Sequence, residues 1–264
     1  MKSDVKTFII LGVLLIAILG ASFHYFNNKK VDLLVIPHFM IDSWKVSDFY
    51  KLTKEKYYWT GKLPDRIILI SPNHFFQNQK KIEGICKKEK IKYWNYRVSA
   101  LPSTLKNIEC SWWVFYSIWN QIFTKDHGLW EHFRWLNEYY SWVDIIPLVL
   151  PTHQMNHSKE VVQWINTLAW KTLVISSVDF SHYKSEKIAL ENDEISYSVL
   201  SSTWNFPKLK LLDVDCPACL WVNYLLAEKN NLKIQQRYRD SSSTIVGYDL
   251  NEENTSRQFL FWSY

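Results

Sequence analysis

Hydrophobic positions along the chain fall into short, mostly apolar runs that stop abruptly at Pro, His, Ser or Asp. Residues 31–36 stop at Pro37-His38, and residues 66–70 stop at Ser71-Pro72-Asn73-His74. Residues 144–150 are followed by Pro151, and residues 172–176 lead into Ser177-Val178-Asp179. Runs this short, rich in Val, Ile and Leu, predict buried strands. Between them the spacing predicts helices over 45–58, 111–124, 129–140, 158–170, 186–200 and 218–229. In 111–124, Trp112, Phe115, Tyr116 and Trp119 recur at helical intervals. In 158–170, Val161, Val162, Ile165 and Leu168 share one face, with Ser158 as N-cap. Residues 233–239, 244–250 and 257–262 read as closing strands. The basic stretch 77–106 has too little periodicity to assign.

Buried strands alternating with helices predict a single α/β domain over residues 31–264. Its central sheet, largely parallel or mixed, is flanked by helices. Ligands of such sheets bind beyond the carboxyl ends of the strands. The polar residues that end the apolar runs therefore become the candidates for function.

The first thirty residues differ from the rest. Residues 7–26 contain no Asp, Glu, Lys or Arg, and at about 1.5 Å per residue a helix over them spans roughly the hydrocarbon core of a bilayer. This predicts an N-terminal membrane anchor over 1–30, with an extracytoplasmic domain. Cleavage as a signal peptide at Gly20, Ala21 and Ser22 is the rival expectation. The net charge of +5 leaves only +2 beyond residue 30, so the body gives no electrostatic case for nucleic acid. The excess charge sits beside the anchor, where anionic lipid favours it. Four cysteines in 264 residues do not make a disulfide scaffold.

Chemically capable residues gather at the expected strand ends: His38, His74, His153 and the Asp179-Phe180-Ser181-His182 element. Asp215-Cys216-Pro217-Ala218-Cys219 then enters a helix. Imidazole, carboxylate and thiolate are the metal-binding side chains of proteins. A lone His after a strand is ordinarily a loop residue; repetition of such residues at several strand ends is what points to metal. Asp126 and His127 read by themselves as an N-cap and a surface His. Cys216-x-x-Cys219 at a helix start also allows a dithiol couple, although no thioredoxin-like βαβ unit surrounds it. The Trp-rich stretch 112–142 reads as core.

In this order, these residues resemble the Memo-like family, also called AmmeMemoRadiSam system protein B. Pro37-His38, Ser71-Pro72-Asn73-His74, Asp126-His127-Gly128-Leu129-Trp130, Ser176 to Tyr183, Cys216 and Ile245-Val246-Gly247-Tyr248 carry the resemblance. It implies a fold like the class III extradiol dioxygenases (LigB-like). It also implies a metal, iron or copper, on His38, His74 and Cys216, with His127, Asp179 and His182 lining the same pocket and a redox role on an unknown substrate. A functional link to a radical-SAM protein is implied as well. The chain departs from the family pattern at Phe39, Met40 and Trp130, where small residues and an acid are usual. These losses favour a non-catalytic module binding a small molecule or peptide. A catechol-opening dioxygenase is the third expectation, with Cys216 in place of a carboxylate against it.

Overall fold

The computed structural model describes residues 31–39, 44–59, 63–74, 82–84, 89–90, 97–98, 108–110, 126–168, 171–202, 208 and 211–263. The expected anchor, the helix over 111–124 and most of 77–106 lie outside the described residues. Among the described residues, no helix is long and apolar enough to cross a membrane.

Four parallel strands form the centre of a mixed sheet. They are β1 (Val31–Ile36), β2 (Arg66–Pro72), β7 (Asp144–Leu150) and β8 (Thr172–Ser177). They lie in the order β7-β2-β8-β1. Beyond β1, the antiparallel strands β10 (Ser256–Ser263) and β9 (Lys233–Ser241) complete one side. On the other side lie the short strands β3 (Ile82–Gly84), β4 (Glu89–Lys90), β5 (Arg97–Val98) and β6 (Ile108–Cys110). The apolar runs are buried because both sheet faces are covered. Along β1, Leu33 and Val35 enter one core while Leu34 and Ile36 enter the other.

Helices α1 (Trp44–Trp59) and α2 (His127–Tyr140) contribute Phe49, Tyr50, Phe133 and Leu136 to the core containing Leu34. The opposite core takes Val161 and Ile165 from α3 (Met155–Thr167), Val199 and Leu200 from α4 (Glu186–Ser201), and Leu220 and Val222 from α5 (Pro217–Asn230). Full burial of one such aliphatic side chain stabilises the fold by about 1.5–3 kcal/mol.

Three local expectations are corrected. Ser158 does not cap α3; the helix begins earlier, and the buried Ser158 hydroxyl donates to the Ala218 carbonyl at 2.7 Å, joining α3 to α5. His157 lies within the same helix. Residues 244–250 do not form a strand. A one-turn helix, α6 (Ser242–Val246), ends at Gly247 with φ +83°, and Ser241 caps it by accepting from the Thr244 N–H. A hydroxyl-capped start and a left-handed glycine stop outweighed the β-branched run. The Trp-rich stretch divides: Trp135 is buried, whereas Trp142 is 92% exposed.

Asp193 on α4 is fully buried under β10. Its Oδ1 accepts the Ser256 hydroxyl at 2.9 Å, while Oδ2 has no partner. Burial pushes its pKa up to about 7, and the bonds from Ser256 and Gln258 offset this only in part. The native state therefore holds a proton that the unfolded chain releases near pH 4, and stability falls as pH rises from about 4 to 7. Asp193→Asn removes that loss. Thermal melts should show the variant more stable by at least about 1 kcal/mol at pH 7.5 and level with the parent near pH 4.

Candidate metal centre

Because β2, β8 and β1 are neighbours in the sheet, the residues that follow them emerge side by side, within roughly 10 Å. His74 follows β2, Asp179 follows β8 and His38 follows β1. His153 follows β7, one strand further out, and is exposed. That strand order explains why two of the three candidate strand-end histidines share the site.

His38 is buried and held on every side. Its backbone N–H and that of Phe39 donate to Asp179 Oδ1 at 3.0 and 3.2 Å. The Phe39 carbonyl accepts from Arg257, a fully buried guanidinium paired through two bonds of 2.7 Å with Asp240. On the ring, Nδ1 lies 2.9 Å from Ser177 Oγ, and Nε2 lies 3.3 Å from Asp179 Oδ2 and 3.1 Å from Asp215 Oδ2. The contact with Asp215 is an ion pair outside hydrogen-bond geometry, so both of its oxygens are buried without a donor. Burial opposes a charge on His38, but Asp179 and Asp215 outweigh it and hold its pKa up at about 9.

His74 and His127 complete a trio of imidazoles. Ring centroids are 4.9 Å apart for His38–His74, 4.9 Å for His38–His127 and 4.0 Å for His74–His127. One nitrogen from each lies within 4.8 Å of the others, and His38, Asp179 and Asp215 form a second such group. Asp126 is the N-cap of α2, as its position suggested: its Oδ1 accepts from the Gly128 N–H at 2.8 Å. The same oxygen takes His74 Nδ1 at 2.9 Å, which turns Nε2 away from Asp126. Carboxylate support of this kind orients histidine ligands and raises their basicity. Burial and the neighbouring His74 and His38 lower the His127 pKa to about 4, so its ring is neutral at pH 7 and keeps a free lone pair.

His132 was not apparent from sequence. It is fully buried, with Nε2 3.1 Å from Ser177 Oγ and Nδ1 2.8 Å from the Tyr50 hydroxyl. Burial and His38 lower its pKa to about 3. The proton count therefore orders the contacts: His38 Nδ1–H donates to Ser177, whose hydroxyl donates to His132 Nε2, and His132 Nδ1–H donates to Tyr50. This holds the His38 ring with Nδ1–H on Ser177 and Nε2 toward the carboxylates. His182 sits on the open side, its Nε2 3.9 Å from Asp179 Oδ2.

Cys216 differs from its sequence expectation. It is fully buried among apolar residues as the N-cap of α5 and forms a disulfide with Cys219. In this oxidised state it has no thiolate to offer. The residue before it, Asp215, is the one that faces His38. The donor set present is therefore three imidazoles with Asp179 and Asp215. It fits a divalent cation, and the orphaned Asp215 oxygens are what such a cation would satisfy. Trp130 is 37% exposed.

No family model matches this chain, and no curated protein does. Among solved structures it is similar to uncharacterized protein JW3007 from Escherichia coli K12. The TM-score is 0.53 at 14% identity, over 86% of this chain and 98% of that one. At that identity the likeness is one of fold.

Gly128 lets α2 approach the end of β2. A Cβ there would lie 2.2 Å from Ser71 Oγ, 3.0 Å from Asp126 Oδ1 and 3.1 Å from His74 Cε1. Gly128→Ala should destabilise the protein by about 1–3 kcal/mol in urea titrations and shift the His74 ring resonances in NMR spectra. Unchanged His74 resonances would show that the close approach does not position this ring.

Proposed function

We propose that the chain is a metal-dependent protein of Memo-like type, with a redox role on a small substrate at the strand-end pocket. The observation that carries this reading is the convergence of His38, His74 and His127 beside the carboxylates of Asp179 and Asp215. The ordered motifs at these strand ends and the mixed α/β sheet support kinship with the Memo-like and LigB-like folds. His38, His74 and His127 would hold the metal, with Asp215 supplying negative charge beside His38.

Bound iron or copper would supply a centre able to change oxidation state and to take oxygen or a small ligand at an open position. The chain's own groups do the rest. Asp126 fixes the His74 ring, and Ser177 with His132 fixes that of His38. Asp179 and Arg257 hold the loop carrying His38 from its two N–H groups and from the Phe39 carbonyl. His182, half-buried beside Asp179, is placed to accept or return a proton. The intended partners remain a small molecule or peptide at this pocket, a membrane through residues 1–30, and a radical-SAM protein in a shared pathway.

A second reading has its own observation. His38 held as a cation between two carboxylates is a self-sufficient charge cluster, and a non-catalytic binding pocket needs no metal. Ring opening of a catechol is the weaker alternative, and oxygen uptake with a catechol panel decides it.

Anaerobic titration with Fe(II) or Cu(II), followed by calorimetry, separates the first two readings. Metal must displace the His38 proton, so affinity should rise about tenfold per pH unit between pH 6 and 8 and level off above about pH 9. His74→Ala should cost at least about tenfold in affinity. The double change Cys216→Ser and Cys219→Ser should leave affinity within about threefold of the oxidised parent, because the disulfide offers no ligand. Failure to bind either ion would leave the binding-module reading standing.

A further inference from the structure

At the start of β1, roughly 20 Å along the strand from His38, the structure encloses a cavity of about 230 Å³. Phe49 and Leu52 of α1, Leu34 of β1 and Phe261 of β10 wall it. Thr53 also faces it, but its hydroxyl is already given to the Phe49 carbonyl at 2.7 Å. The interior therefore offers shape and apolar surface.

Charge is confined to the rim. Lys56 pairs with Asp32 at 3.3 Å and lies over the Phe261 ring, 5.5 Å from its centroid. Arg237, exposed on β9, stacks beside Tyr238 at 5.3 Å and has no carboxylate partner among the described residues. The rim thus carries one cation in excess, on the side chain best suited to grip a carboxylate through two parallel bonds.

Size limits the guest. A cavity of about 150 Å³ holds benzene, whereas drug-sized ligands take about 300–1,000 Å³. We infer that this cavity binds a small amphipathic monocarboxylate, its single ring or short alkyl tail between α1 and the sheet and its carboxylate on Arg237. The site is separate from the imidazole cluster and does not depend on metal.

Equilibrium dialysis of the full-length chain against 3-phenylpropanoate tests this, with the solubilising medium alone as blank. Saturable uptake of one equivalent is expected, with Kd below about 1 mM. The matched cation, 3-phenylpropylamine, should bind at least about tenfold more weakly, and Arg237→Glu should weaken the acid by about tenfold or more. Leu52→Trp should abolish uptake by filling the cavity. Should that variant misfold by circular dichroism, the amine and Arg237→Glu decide alone. No saturable uptake, equal binding of acid and amine, or indifference to Arg237→Glu would each overturn the proposal.

Discussion

A buried imidazole between two buried carboxylates is the constraint around which this structure is organised. Asp179 and Asp215 favour a positive charge on His38, and that charge in turn opposes the upward push that burial gives the Asp179 pKa. In the apo protein the His38 proton is that charge. The surrounding framework holds the arrangement: Asp179 takes two backbone N–H groups, Arg257 holds the Phe39 carbonyl, and Ser177 fixes the far ring nitrogen. A cation with more ligand positions than a proton would also reach His74, His127 and the unpaired Asp215 oxygens.

Much of this was legible along the chain because each buried strand announced its own end. The apolar runs ending at His38, His74 and Asp179 became β1, β2 and β8, nearly to the residue. The clustering followed from strand order, which no local pattern specifies; β8 lies between β1 and β2, so three distant segments finish together. His153 has the same local signature and is excluded only by its place one strand further out.

The parts that escaped sequence reading are those set by tertiary direction. Asp215 and Cys216 are neighbours, and the choice between them depended on which one faces His38. Asp126 read as a helix cap and proved to be a cap that also holds His74, one carboxylate serving both because α2 begins over the end of β2. His132 and Ser177 lie in ordinary helix and strand contexts, with nothing local to mark their contact. Residues 244–250 show the converse, where local cap and glycine chemistry prevailed over a β-branched pattern.

With Cys216 and Cys219 joined in a disulfide, a metal taken up by the cluster would meet nitrogen and oxygen donors. X-ray absorption at the metal edge of iron- or copper-loaded, oxidised protein therefore addresses the account most directly. The predicted spectrum shows imidazole nitrogens and oxygen at about 2 Å and no sulfur shell. A sulfur scatterer, or a metal without multiple imidazole signals, would contradict it.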